Sequence, residues 1–182
     1  MPKKIKVSAA GYAKLPKMLP SSHSVTEGLV VVTLPIAITS ATGGNSREHH
    51  MGKAKRVKDQ RTTVANCLWN FLSASERRGW DFKAEKKTTN LPVRVKLVRV
   101  AIKHMDYGNM VHGLKAVQDG VADWLRCNDG DDSQAKWEFA EELTAKATGT
   151  GIRIELCETD AAWRKRRLDE LTSEAEKDGL GY

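Results

Sequence analysis

The chain has 182 residues, of which 40% are hydrophobic and 29% are charged, and this predicts one soluble globular domain with room for extensions. The formal net charge of +7 favours a polyanionic partner, with nucleic acid as the first candidate and an anionic membrane surface as the second. The longest apolar stretch, Leu29 to Ile38, is too short to span a membrane.

The N-terminal residues and the cysteines narrow the class of protein further. The N-terminus lacks the apolar region of a signal peptide, so we expect a protein of the cytoplasm, in a bacterial host or a phage-infected cell. The three cysteines form no CxxC pair, which argues against a zinc site and a disulfide framework and favours reduced thiols.

The first half of the chain predicts a basic arm, a strand and a basic helix. Residues 1–28 carry lysines among Pro, Ser and Gly without periodicity, which is typical of a flexible arm. Residues 29–36 are β-branched and predict a strand that ends near Pro35. From 53 to about 75 a helix with a basic opposite face is expected, because apolar residues recur at helical spacing. Those apolar residues are Val57, Val64, Leu68, Phe71 and Leu72.

A long strand and a second helix follow. Residues 91–102 alternate in polarity but change phase between Leu97 and Val98, which predicts a strand with a bulge at that point. Asn109 is placed to cap the next helix. The apolar positions of this helix are Met110, Leu114, Val117, Val121 and Leu125.

The last third of the chain predicts two strands and a charged helix. Residues 136–142 and 151–157 alternate as strands, and a Gly/Thr-containing turn is expected to join them as a hairpin. Residues 158–182 are predicted to form a charged, peripheral helix. The element order favours an α+β fold, with a mixed sheet and helices mainly on one face, over residues 29–157.

Two acidic clusters bracket the second helix. Asp106 follows the long strand, and Asp129, Asp131 and Asp132 lie in the turn after the helix. They can meet only if the turn doubles back or the helix crosses obliquely, which the residues alone leave open. By itself, Asp-Gly within this turn is typical of an ordinary tight turn.

A stripe of polar residues runs along the second helix. His112, Lys115 and Asp119 follow at steps of three and four, which places them on one side of the helix. By spacing alone, Lys115 and Asp119 are a solvated ion pair.

Three segments together resemble one family, the RusA-type Holliday-junction resolvases of phages and prophages. Residues 105–132 resemble the pattern Asp-x-Asp-Asn-Leu, Leu-Lys-Ala-x-x-Asp-Gly-x-Ala-x-x-Leu, Asp-Asp-Gly-Asp. Residues 45–61 are similar to the family's Asn-x-Arg-x-His-Trp loop and basic helix, and residues 151–156 to its last strand. The resemblance implies a RusA-like fold and a homodimeric endonuclease that resolves four-way DNA junctions in recombination and repair. It also implies Mg²⁺ as the cofactor, with Mn²⁺ as a substitute.

The resemblance implies roles for single residues. Asp106 and Asp129 match metal-binding aspartates of the catalytic site, with Asp131 as a further metal ligand, and Lys115 matches the catalytic lysine. Asn109 and Asp119 match supporting residues of the same motif. The DNA-binding residues that it implies are Asn45, Arg47, Lys53, Lys55, Arg56, Lys58 and Arg61.

Two positions depart from the family pattern. Gly108 stands where the second motif aspartate is expected, and Asn128 stands for the first aspartate of the later pair. A glycine side chain cannot coordinate a metal ion, so cleavage is expected to be weakened unless Asp131, Asp132 or a water substitutes. Asn128 still offers a neutral oxygen.

Three functions stay open at this point. The first is an active or weakened junction-resolving endonuclease, and the second is a RusA-fold protein that binds branched DNA without cutting it. The third, an unrelated RNA-binding or ribosome-associated protein, fits the charge but not the order of the motifs.

Overall fold

The structure is a computed structural model that describes residues 17–26, 29–39, 50–73 and 92–157. These residues form an α+β fold with a five-stranded mixed sheet and two helices. In chain order the elements are β1 (Ser22–Thr26), β2 (Leu29–Leu34), α1 (His50–Phe71), β3 (Val93–Ala101), α2 (Tyr107–Leu125), β4 (Ala135–Leu143) and β5 (Gly151–Cys157).

The strands are arranged in the order β1-β2-β5-β3-β4. All neighbours are antiparallel except β3 and β4, which are parallel and are joined through α2 as a crossover. The predicted hairpin between the last two strands is therefore wrong. β4 and β5 pair with opposite edges of β3. The chain therefore crosses the end of β3 between β4 and β5.

The predicted bulge in β3 is also wrong. Its register with β4 runs without interruption from Val93, opposite Ala135, to Ala101, opposite Leu143. The change of phase has another cause: Val95 and Leu97 belong to the main core, whereas Val98 and Val100 are buried outside it. Alternate residues of a strand face opposite sides of a sheet, so the second half of β3 is covered on both faces.

One core joins both helices to one face of the sheet, as the sequence predicted. The apolar residues predicted for α2 are all buried, and those predicted for α1 are buried or partly buried. The sheet contributes Val30, Val32, Leu34, Val93, Val95, Leu97, Ile152, Ile154 and Leu156.

The boundary of the predicted N-terminal arm needs correction. Within the arm assigned to residues 1–28, residues 22–26 form the edge strand β1. Just before it, the backbone of Lys17 and Leu19 exchanges hydrogen bonds with Thr150. The other arm residues, 1–16 with 27 and 28, and the predicted helix at 158–182 lie outside the described residues. None of the helices in the described part of the chain has the length and apolar character needed to cross a bilayer.

The two helices approach each other closely at Gly120. A Cβ atom built there would lie 2.6 Å from the carbonyl oxygen of Arg61 and 2.9 Å from Cβ of Val64. The first neighbour belongs to the backbone of α1, so only a displacement of the whole helix could make room. The glycine in the Lys-Ala-x-x-Asp-Gly sequence is thus required by helix packing.

We expect Gly120→Ala to lower the free energy of unfolding by about 1–3 kcal/mol, because overpacking outweighs the better helix propensity of alanine. Urea denaturation of both proteins measures the difference. Gly108→Ala is the matched control, since its Cβ would meet only Asp106 Oδ1 at 3.5 Å. Equal stability of Gly120→Ala and the unmodified protein would contradict the close packing.

Candidate functional site

Asp106 begins α2. It is the N-cap of the helix, and its Oδ1 accepts a hydrogen bond of 2.9 Å from the backbone N–H of Asn109. The side-chain amide of Asn109 donates to Oδ2. The predicted N-cap, Asn109, is therefore not the cap: it lies three residues after Asp106 and donates to its side chain. These hydrogen bonds, the backbone one first, lower the pKa of Asp106 because they favour its ionised form.

Position 108 lies directly beside this carboxylate. A Cβ atom on Gly108 would sit 3.5 Å from Asp106 Oδ1, which is an ordinary contact. A carboxylate at 108 would therefore stand next to that of Asp106, as the resemblance implies for the family. With glycine there, position 108 adds no oxygen ligand to the one carboxylate that Asp106 supplies.

Lys115, in the middle of α2, joins two other predicted residues. Its Nζ lies 3.0 Å from Asp119 Oδ1 and forms a second ion pair with Asp129. The turn after α2 thus doubles back along the helix, with Arg126 in the left-handed conformation (φ 56°) at the C-cap. The bond from Lys115 lowers the pKa of Asp129. Partial burial opposes the charge of Lys115, but the two carboxylates outweigh it and raise its pKa.

Arg61 of α1 extends this group. Its guanidinium binds both carboxylate oxygens of Asp123, with 2.6 Å between Nη2 and Oδ1. The hydrogen bond to Asp123, followed by the fields of Asp119 and Asp129, raises the pKa of Arg61. We call Arg61, Lys115, Asp119, Asp123 and Asp129 the interhelical ion-pair cluster. Asp123 was not predicted as a site residue, although it lies four residues after Asp119 on the same stripe.

Asp131 has a structural position in the turn. Its Oδ1 accepts from the backbone N–H and the hydroxyl of Ser133, at 3.0 and 2.6 Å, and its Oδ2 accepts from Gln134 Nε2 at 2.9 Å. The hydrogen bonds from Ser133, before that from Gln134, lower the pKa of Asp131. Asp131 therefore stabilises the turn that returns Asp129 to the helix.

Asp106 and Asp129 contact different residues of α2: Asp106 bonds to Asn109, and Asp129 bonds to Lys115. Residue 115 is about 13 Å along the helix axis from the N-cap, at 1.5 Å per residue. Lys115 also bonds to Asp119, one turn further along the helix. Across residues 17–26, 29–39, 50–73 and 92–157, no three His, Cys, Asp or Glu side chains form a group that could hold a metal ion.

The Mg²⁺ ion that Asp106 and Asp129 were expected to share therefore stays a proposal. Mg²⁺ requires near-octahedral oxygen ligands at about 2.0–2.1 Å and usually keeps several waters among them. Glycine at position 108 leaves Asp106 as the one carboxylate of the first motif that could bind the ion.

A largely buried carboxylate that was not predicted from the sequence lies near Asp106. Glu141 of β4 accepts from Arg99 Nη1 on β3, from His104 Nδ1 and from the backbone N–H of Met105. Arg99 is only 6% exposed and also donates to two backbone carbonyls, those of Ile38 and Lys103, at 2.9 Å each. Residues 99 and 141 are direct neighbours in the parallel pairing, which the predicted hairpin did not include.

The first half of α1 carries exposed positive charge. Lys53, Lys55 and Lys58 are exposed, and none forms an ion pair with another described residue. The first buried residue of the helix is Val64, about 20 Å along the axis from its start. Arg56 Nη1 donates to Gln60 Oε1 at 3.1 Å. Asn45 and Arg47, also predicted to bind DNA, lie outside the described residues.

The comparisons with known proteins add no relative. No known protein family matches the chain, and no curated protein shows significant similarity to it. The assignment to the RusA-type resolvases therefore rests on the motifs of the chain itself and is a proposal.

Proposed function

We propose that the protein binds branched DNA, four-way junctions above all, in phage recombination and repair, and that Gly108 weakens its RusA-type cleavage or abolishes it. The observation that supports the proposal best is the first half of α1, which stands clear of the core and carries three lysines that pair with no described carboxylate. These three lysines can contact a phosphate backbone without losing an ion pair with another described residue.

The charge of this segment favours phosphate contacts. Between His50 and Lys58 the helix carries three lysines and Arg56, and no acidic residue. Phosphate contacts by lysine and arginine release condensed counterions, which makes binding strong and salt-dependent. Arg61 differs from this group, because Asp123 holds its guanidinium on both oxygens. We therefore assign phosphate binding to Lys53, Lys55, Arg56 and Lys58 rather than to Arg61.

A second candidate, cleavage of the bound junction, is favoured by the position of Lys115. In the ion-pair cluster the motif lysine meets Asp119, one helical turn away, and Asp129, which lies in the turn after the helix. A lysine in such a place can stabilise negative charge that develops on a phosphate. Cleavage of this type would need Mg²⁺ or Mn²⁺, and the carboxylates of the described residues do not gather around one ion.

The proposal is tested with a synthetic four-way junction and a linear duplex of the same sequence. We expect tighter binding of the junction, and slow or no cleavage with Mg²⁺ or Mn²⁺. Equal affinity for junction and duplex would contradict the assignment to branched DNA, and rapid cleavage by the unmodified protein would contradict the weakening by Gly108.

We expect Gly108→Asp to increase both Mg²⁺ affinity and junction cleavage, by about tenfold or more. The new carboxylate would lie beside Asp106, and a hard cation binds better to two anionic oxygens than to one. Calorimetric titration with Mg²⁺ and a cleavage assay measure the two effects separately. Asp106→Asn in the Gly108→Asp background is the control, and it should remove the gain. If Gly108→Asp changed neither quantity, the alignment of this motif with the family would be wrong.

The proposal includes a homodimer. Resolution of a four-way junction needs two symmetry-related cuts, and a two-fold dimer supplies one site to each. Light scattering at micromolar concentration should therefore give twice the mass of the 20.2 kDa chain. A monomer under these conditions would count against paired cleavage, while DNA binding by α1 would still be expected.

A further inference from the structure

A cavity of about 530 Å³ opens beside the N-terminus of α2. Its walls come from the chain after β2, from the end of β3 and the segment that follows it, and from the turn before β5. Five apolar residues form much of this lining: Ala37, Ile38, Ala101, Ile102 and Met105. A volume of this size is in the range of small-molecule sites.

The charged side chains of the cavity are mainly basic. Lys103 and Lys146 line it, are exposed, and form no ion pair with another described residue. His104 lines it too, and Asp106 is the one acidic side chain among the described residues of the lining. Arg99 is already neutralised by Glu141, so the available positive charge at the cavity is that of the two lysines. An anionic group is therefore favoured at its mouth.

His104 is held in a defined orientation at this mouth. Its Nδ1 is bonded to Glu141, whose other oxygen is fixed by the buried Arg99. With Nδ1 directed to a carboxylate, Nε2 is the nitrogen that can face a ligand. The ring itself is 77% exposed. Glu141 thus orients the imidazole of His104 at the cavity that Lys103 and Lys146 also line, and it neutralises neither lysine.

We propose that this cavity binds one unpaired nucleotide of the DNA, with the base against the apolar lining and its phosphate near Lys103 and Lys146. The inference rests on the proposed function, because it takes the ligand to be DNA. Proteins that take a base out of the stack place it between apolar side chains in a fitted pocket, and this costs least where the base is already unpaired. Stacking is interrupted at the branch point of a junction, so a base there should leave the helix at a lower cost than one inside a duplex. The apolar lining suits the base of a nucleotide, and the two lysines suit its phosphate.

The test uses a short single-stranded oligonucleotide that carries one 2-aminopurine among thymines. The emission of 2-aminopurine is quenched when the base is stacked, so transfer into an aliphatic cavity should raise it about twofold or more. Ala37→Leu, at a half-buried position of the lining, should abolish this rise while the oligonucleotide still binds. The double variant Lys103→Ala with Lys146→Ala should weaken binding about tenfold and reduce the salt slope by about 1.4.

Lys136→Ala is the matched control, since this exposed lysine of β4 does not line the cavity. Thermal melting checks that each variant is folded. If Ala37→Leu unfolds, the double variant of Lys103 and Lys146 still tests the assignment, because both side chains are exposed. Unchanged emission on binding of the unmodified protein, or a full rise with Ala37→Leu, would overturn the assignment. A rise in emission without preference for a junction over a duplex would support the cavity and contradict the proposed branched-DNA function.

Discussion

Glu141→Ala is expected to lower the free energy of unfolding by about 3–5 kcal/mol, the usual cost of removing one partner from a buried ion pair. Arg99 and Glu141 have side chains that are only 7% and 11% exposed, so water cannot replace the missing carboxylate. The variant would also leave the N–H of Met105 and Nδ1 of His104 without this acceptor. A chain of this size should melt about 2–4 °C lower per kcal/mol, so Tm should fall by about 10 °C.

Two variants separate the ion pair from a general effect of mutating β4. Glu142→Ala, the next residue, removes a carboxylate that is 47% exposed and paired with Arg153, and we expect a decrease below about 1 kcal/mol. Arg99→Met combined with Glu141→Leu should recover most of the stability, because it removes both buried charges. Urea denaturation measures all three proteins. A decrease below about 1 kcal/mol for Glu141→Ala would show that the pair is not buried in solution.

Local patterns in the sequence predicted the elements well because each one depends on neighbouring residues. The helical spacing from Met110 to Leu125 corresponds to the buried side of α2. The β-branched run at Leu29 gave β2, and the alternation from Ile152 to Leu156 gave β5. In α2 and β2 the polarity pattern repeats the side that is buried, whereas in β5 Glu155 and Cys157 on the other face are buried as well.

The pairing of the strands could not be predicted in this way. The burial of Val98 and Val100 outside the main core depends on chain segments distant in sequence, so their apolar character was mistaken for a bulge. The strand β1, with the sequence Ser-His-Ser-Val-Thr, is exposed throughout and has no alternation to detect. It is held by pairing with β2, and His23 stacks on Phe71 with 5.2 Å between ring centroids.

The candidate site was predicted in part. Lys115, Asp119 and Asp129 do meet, because the turn after α2 reverses direction at Arg126. Asp106 was expected to approach Asp129 closely enough to share a metal ion, and this stays a prediction. Glu141 was missed because its importance comes from the parallel neighbour Arg99, which no local pattern indicates.

The second large effect is expected in DNA binding. Replacing Lys53, Lys55 and Lys58 together by alanine should weaken junction binding by about tenfold or more at moderate salt, because each lysine is expected to neutralise one phosphate. The three side chains are exposed and contribute to no described ion pair, so stability should change little. Circular dichroism and thermal melting should therefore match those of the unmodified protein.

Two controls test whether position, and not total charge, explains the weaker binding. Lys136→Ala removes an exposed charge on β4, outside α1, and should change the affinity much less than any single α1 lysine. Arg61→Ala lies within α1, but its guanidinium is engaged by Asp123, so we expect a small change in affinity and a measurable decrease in stability. A large decrease in affinity from Lys136→Ala would indicate non-specific attraction by the net charge.

The most direct measurement is the salt dependence of four-way junction binding by the unmodified protein and by the triple variant of Lys53, Lys55 and Lys58. The slope of log K against log salt becomes shallower by about 0.9 for each phosphate of double-stranded DNA that the protein no longer neutralises, so we expect a decrease of about two to three units. An unchanged slope would show that the first half of α1 does not bind the DNA, and it would contradict the proposed function.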